Sequence, residues 1–161
     1  MTEPEIAIDY LRTSSENHEA LQAMARTGAD RFGYRAELGI DRELAQLLRL
    51  RVAQMNKCTY CLNLHYEAAR NLGTIRAKVD TLSGWRQTGL FTEPERAALA
   101  YAEALTSMSD TAITEIQSFH DGLRKHFDDA AILEIIGVVI NMNIWTRLKL
   151  AEGAIPVVGE A

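Results

Sequence analysis

The sequence predicts an all-α fold of six to seven helices, and three observations predict it. Apolar residues recur every three or four positions through nearly every segment. No stretch of convincing length alternates apolar and polar residues as a half-buried strand does. Residues that start and stop helices fall between the periodic segments, while ten Gly and three Pro are few for a turn-rich β fold.

Residues 5–27 predict a first helix, marked by Ile6, Tyr10, Leu21 and Met24, and Gly28 and Gly33 bracket the connection after it. Asp41 is a good N-cap for a second helix, in which Leu44, Leu48, Val52 and Met55 share one face. Asn56 and Lys57 interrupt the pattern, and Asn tolerates the left-handed conformation that ends helices. A third helix runs from Cys58 to Gly73, and Thr74 caps a short one reaching about Trp85. Gly84 and Gly89 mark a loop, and Thr92-Glu93-Pro94-Glu95 is a capping box with Pro in the first turn. That helix runs to about Ser107. Ser109 or Asp110 caps the next, which ends near His126, and Asp128 opens the last, which ends near Ala151. The last helix is apolar nearly all round (Ile132, Leu133, Ile135, Ile136, Val138, Val139, Ile140), so it belongs in a core or a subunit interface. A homo-oligomer is therefore expected.

With 161 residues, 47% apolar and 24% charged, the chain suits one globular domain, residues 1–161. Asp and Glu outnumber Lys and Arg by 22 to 17 and no basic block appears, which disfavours a nucleic-acid partner. The first residues are acidic where a secretory leader is basic and then apolar. The most apolar run, residues 130–145, contains Glu134 and two Asn and falls short of the roughly 18–20 apolar residues of a membrane span. A soluble cytoplasmic protein, with no membrane partner, is expected. In a reducing compartment its only two cysteines, Cys58 and Cys61, indicate redox or metal chemistry rather than a structural staple.

On a helix Cys58, Cys61 and His65 lie within roughly 60° of one another, two sulfurs and an imidazole on one face at a helix start. The helix N-terminus, the Lys57 charge, the neighbouring thiol and His65 all favour the reactive thiolate. The spacing lets a sulfenic acid on one sulfur condense with the other to a disulfide. Three readings of these residues stay open: a redox dithiol, a zinc site of two sulfurs and one nitrogen, and two small buried thiols with a core histidine. The redox reading is preferred and needs no cofactor or metal. Among the other residues, His18, His120 and His126 read as surface histidines, and Trp85, Trp145 and Tyr66 as packing. Tyr60 is a candidate for the thiol pocket, Arg51 for pairing with an acid, and Asn141 and Asn143 interrupt the last apolar helix.

The run Leu50-Arg51-Val52-Ala53-Gln54-Met55-Asn56-Lys57-Cys58-Thr59-Tyr60-Cys61-Leu62-Asn63-Leu64-His65 resembles the core of the alkylhydroperoxidase AhpD-like branch of the carboxymuconolactone decarboxylase family. The likeness continues through Ala69-Arg70-Asn71-Leu72-Gly73, Trp85-Arg86, residues 91–99 and Ile140-Asn141, and covers roughly residues 40–150. The resemblance implies an AhpD-like helical fold assembled as trimers or hexamers. It implies a hydroperoxide substrate and a thiol or lipoylated-protein reductant. It makes Cys61 the sulfur attacked by peroxide, Cys58 the more accessible partner that gives a proton and resolves the sulfenic acid, and His65 a member of the proton relay. The family's relay glutamate, twelve residues before the first cysteine, is Gln46 here, which cannot act as a base. Glu43, one helical turn earlier, is a candidate substitute. Tyr60 stands where the classical peroxidase has a histidine, and Lys57 where Gly is common. A lyase like carboxymuconolactone decarboxylase and a non-enzymatic redox sensor are the alternatives. The lyase branch does not rely on a cysteine pair.

Overall fold

The structure, a computed structural model, describes residues 12–156. Among them are seven α-helices and no strand: α1 (Glu19–Phe32), α2 (Arg42–Met55), α3 (Thr59–Leu72), α4 (Arg76–Thr81), α5 (Glu93–Thr106), α6 (Ile113–Leu123) and α7 (Asp129–Glu152). A 3-10 helix, Leu82–Gln87, follows α4 directly. The all-α expectation holds, and several boundaries follow from the capping residues. Asp41 accepts the Leu44 N–H at 3.0 Å and starts α2. Thr92 and Glu95 close the capping box of α5, and Asp128 accepts the Ala131 N–H at the head of α7. Gly73 ends α3 in the left-handed conformation its missing Cβ permits (φ 82°).

The start of α1 differs from expectation. Residues 5–11 of the expected first helix lie outside the described residues, and residues 12–18 are not helical. The Arg12 N–H donates to the Glu152 carbonyl, and the Ser15 N–H and hydroxyl both donate to the Glu152 carboxylate. Those bonds hold the segment against the end of α7 and leave His18 to cap α1. Gly28 does not break the helix. It lies inside α1, where a Cβ would come within 2.8 Å of Asn141 Oδ1 on α7. Thr74 does not cap α4, which opens after Ile75. Neither Ser109 nor Asp110 caps α6. Ala112 takes the position, and the Glu115 carboxylate reaches back to the Ala112 N–H at 2.8 Å.

The centre of the fold is α2. It packs against α3, α5 and α7 and is buried from Leu44 to Leu50 without interruption. Apolar Leu47, Leu48, Leu50, Val52 and Ala53 make one core with Leu99 of α5 and Ile135, Val138 and Met142 of α7. Gln46 and Arg49 are buried with them, so α2 carries polar groups into the interior. The 24-residue α7 is long and apolar enough by composition to cross a bilayer, yet it packs on α1, α2, α3 and α5. Its outer side leaves Leu133 and Ile140 exposed.

The α1–α7 contact is close because Gly137 admits the Phe32 ring; a Cβ at 137 would overlap it. Gly137→Ala is expected to lower stability by about 1–3 kcal/mol, the usual cost of overpacking, despite the better helix propensity of Ala. Urea unfolding monitored by circular dichroism checks this.

Candidate functional site

The site begins with the turn between α2 and α3. Lys57 adopts the left-handed conformation (φ 54°), not Asn56 as the sequence suggested. The Lys57 N–H reaches the Gln54 carbonyl at 3.2 Å and the Cys58 N–H reaches the Ala53 carbonyl at 3.3 Å. This is a Schellman closure with Lys57 at the position where glycine is usual. Asn56 locks the turn to α7 by donating to Asn143 Oδ1 at 3.0 Å and Thr146 Oγ1 at 2.8 Å. Cys58 is thus both the last residue of one helix closure and the N-cap of the next. Its sulfur accepts the Cys61 N–H at 3.3 Å.

Cys58 and Cys61 form a disulfide with Cα atoms 5.3 Å apart. Both are buried, at 1% and 3% exposure, and Cys61, not Cys58, lines a cavity of about 580 Å³. His65, one turn on from Cys61, lines the same cavity. The size lies within the range of small-molecule sites. Its walls come from α1 and the loop after it (Arg26, Tyr34), from α3 (Tyr60, Leu64) and from α7 (Met142, Trp145).

Behind His65 stands a chain of donors. The Arg49 guanidinium gives Nε and Nη2 to the Phe32 carbonyl at 3.2 and 3.0 Å, and Nη1 to Gln46 Oε1 at 3.4 Å. Gln46 Nε2 gives to the His65 carbonyl at 3.0 Å and meets His65 Nδ1 at 3.1 Å. A guanidinium only donates and a carbonyl only accepts, so the Gln46 amide has one orientation. Its NH₂ faces His65, Nδ1 accepts, and the ring proton sits on Nε2. Burial, and then the Arg49 charge, lower the His65 pKa from 6.5 to about 3, so the ring is neutral. Burial also lowers Arg49 to about 10. A buried guanidinium with only neutral acceptors costs several kcal/mol, so this chain is a specific feature of the core.

The structure brings Cys58, Cys61, His65 and Gln46 together. It leaves Glu43 apart, joined to Lys78 Nζ at 3.0 Å, with Lys78 also held by Glu95 at 2.7 Å. Lys78 turns the Glu43 carboxylate toward α4. The expected greater accessibility of Cys58 is reversed: as N-cap, its sulfur folds back over the first turn of α3, and Cys61 meets the cavity. Tyr60 lines the cavity as expected, and Trp145, read as core or interface, lines it too. Arg51 pairs with Glu103 at 2.7 Å. Tyr34, Arg49 and Asn141 are site residues that sequence reasoning did not assign. Asn141 carried a signal, as an amide in an apolar helix, and it lines the cavity. Among the described residues no group of three or more His, Cys, Asp or Glu side chains could hold a metal ion.

This helical frame with a paired Cys-x-x-Cys and a histidine one turn on defines an AhpD-like protein. The chain belongs to the carboxymuconolactone decarboxylase family, whose profile matches residues 18–104. The uncharacterized protein YdfG of Bacillus subtilis is 26% identical over 120 residues, 74% of this chain and 80% of its own length. A crystal structure from Agrobacterium tumefaciens, of unknown function and provisionally assigned as the antioxidant defence protein AhpD, superposes with TM-score 0.76. It is 26% identical and covers 94% of this chain and 98% of its own. An uncharacterized peroxidase-related protein from a Silicibacter species shares the fold, with TM-score 0.71 and 24% identity over 88% of this chain and 72% of its own. The family includes enzymes, as its decarboxylase name records.

Because the folded His65 value lies below 6.5, the unfolded chain takes up the extra proton first. Stability from this group is therefore full above about pH 6.5 and falls as pH drops toward about 3. His65→Asn is expected to flatten the acid limb of stability in that window, as read by urea unfolding at several pH values. Ring ¹⁵N spectra of the parent are expected to show neutral His65 with the proton on Nε2 from pH 5 to 8. In Gln46→Glu the proton should move to Nδ1 and the pKa should rise.

Proposed function

We propose that this chain is a thiol-dependent peroxidase that reduces organic hydroperoxides through Cys58 and Cys61. The observation that carries the reading is the cysteine pair at a cavity that Cys61 and His65 share. In the first step the Cys61 thiolate attacks the terminal peroxide oxygen. A sulfur–oxygen bond forms, the oxygen–oxygen bond breaks, and the alkoxide leaves as alcohol after taking the Cys58 thiol proton. The Cys58 thiolate then attacks the Cys61 sulfenic acid; the disulfide forms and hydroxide leaves, protonated to water. An external dithiol, of the thiol or lipoylated-protein class, reduces the disulfide and is itself oxidised.

Several features support this division of roles. Cys61 faces the cavity, whereas Cys58 sits behind it as the resolving thiol. The N–H of residue 61 points at the Cys58 sulfur at the start of α3, which stabilises the thiolate that Cys58 becomes once it has given up its proton. His65, neutral and protonated on Nε2, serves as a hydrogen-bond donor to the departing oxygen rather than as the base of a relay. Gln46 orients it, and Glu43 stands aside on Lys78. Tyr34, Tyr60, Leu64, Met142 and Trp145 give the cavity apolar walls suited to an organic body. A dithiol that must be re-reduced fits a reducing cytoplasm. The exposed Leu133 and Ile140 of α7 support a homo-oligomer, trimer or hexamer, closed through that face.

One equivalent of cumene hydroperoxide added to reduced protein is expected to remove both thiols within seconds to minutes and leave an intrachain disulfide by intact mass. Cys58→Ser should trap a sulfenic acid on Cys61 without turnover, and Cys61→Ser should consume no peroxide. Thiols that persist for hours would overturn the peroxidase reading and turn attention to decarboxylase substrates. Gln46→Glu, which draws the ring proton to Nδ1 and removes the Nε2 donor, is expected to lower peroxide turnover under the same assay.

A further inference from the structure

A second cavity, about 400 Å³, lies beside α2 and is lined by Gln46 and Arg49 rather than by the thiols. Arg35, Arg42, Tyr34 and Asn71 add to its polar wall, and among the described residues no Asp or Glu lines it. Three arginines without an acid are unexpected in a chain whose net charge is −5. Among the described residues every ion pair involves another cation: Arg51, Arg76, Lys78, Arg86, Arg124 or Lys149. Arg35 packs its guanidinium 5.2 Å from the Tyr34 ring, and Arg42 is exposed at the start of α2.

Arg49 is the second, independent observation. It is only 3% exposed, and its donors end on the Phe32 carbonyl and the Gln46 amide oxygen, both neutral. Buried charges in proteins are ordinarily matched by an opposite charge, because removing them from water is otherwise unfavourable. Here the guanidinium lines a cavity whose other cationic groups, Arg35 and Arg42, pair with no carboxylate among the described residues. The planar fork of arginine suits two-point contact with an oxyanion, and Asn71 and Tyr34 add neutral donors.

We propose that this cavity binds a small oxyanion, a carboxylate or phosphate group, as the counter-ion of Arg49. Arg35 and Arg42 would close on it from the exposed side. The site adjoins the cysteine cavity at Tyr34 but contains neither cysteine, so its test does not depend on peroxide turnover. It would place a negative charge three hydrogen-bonded links from His65, through Arg49 and Gln46.

The test is titration of the full chain with inorganic phosphate and, separately, succinate, against sodium chloride at equal ionic strength. Thermal unfolding and calorimetry are the readouts. The expected result is a saturable rise in Tm with one or both oxyanions and none with chloride. Arg35→Gln and Arg42→Gln, both at exposed positions, should each weaken binding by about tenfold or more, the loss of one charge-assisted hydrogen bond. A response to phosphate alone would assign a phosphoryl group, and a response to succinate alone would assign a carboxylate. No saturable response to either, or an unchanged response in the double variant, would overturn the proposal. A Tm that depends on protein concentration but on neither anion would also overturn it, and would give the arginines to a second copy of the chain.

Discussion

The arrangement of the site depends on one buried charge. Arg49 sits inside the core on the central helix, and its guanidinium is satisfied by the last carbonyl of α1 and by Gln46. Because arginine only donates, it decides which end of the Gln46 amide faces α3, and that end decides which nitrogen of His65 carries the proton. Three helices are registered by this chain: α1 through Phe32, α2 through Arg49 and Gln46, and α3 through His65. Gly137 allows the Phe32 ring to lie close on α7, so the packing that closes the cavity also places the carbonyl that holds Arg49. Geometry and electrostatics are therefore set by the same contacts.

The same chain favours an anionic sulfur in surroundings that would otherwise oppose it. Burial raises thiol pKa values by disfavouring the charged form. Against that stand the start of α3, the N–H of residue 61 aimed at the Cys58 sulfur, and the positive Arg49 held behind a neutral histidine. No carboxylate enters this relay, since Glu43 is drawn to Lys78. A glutamate at 46 would supply a base but would also bring a negative charge toward the thiols and neutralise Arg49. The Gln46 arrangement thus favours electrostatic support of the thiolate over proton transfer. It differs in kind from a carboxylate–imidazole relay and is not merely a weaker version of one.

Much of the frame was legible because its determinants are local. Asp41, Thr92 with Glu95, Asp128 and Gly73 act within one turn of their own helix, and the structure uses each at the end the sequence suggested. Cys58, Cys61 and His65 were legible for the same reason, being three residues of one short segment. What was not legible depends on contacts between distant segments. The α1 start moved because Glu152, more than 130 positions away, holds residue 15. Gly28 reads locally as a break and is instead the gap that lets Asn141 approach. Glu43 and Gln46 lie on similar faces of α2, and only the position of Lys78 on α4 separates their roles. Trp145 and Met142 look like core residues of an apolar helix, and a helix that lines a cavity has the same composition as one that fills it. Arg49 left no mark in the pattern, because a lone arginine in an apolar helix does not say what it will meet.

The turn before Cys58 shows how local strain and chemistry converge. A left-handed non-glycine residue costs on the order of 1 kcal/mol, and Lys57 occupies such a position. The conformation is imposed from both sides: by the closure of α2 through Ala53 and Gln54, and by Asn56 anchored on Asn143 and Thr146 of α7. Its result is that one residue ends α2 and caps α3, which places the Cys58 sulfur at the positive end of a helix. Lys57 then adds an exposed charge just outside the buried pair, while Arg49 adds a buried one inside. An oxyanion on Arg49 would offset the inner charge and leave the outer one unchanged. Occupancy of the arginine cavity would therefore act on the field at the thiols from outside the cavity that Cys61 and His65 line, which it meets only at Tyr34.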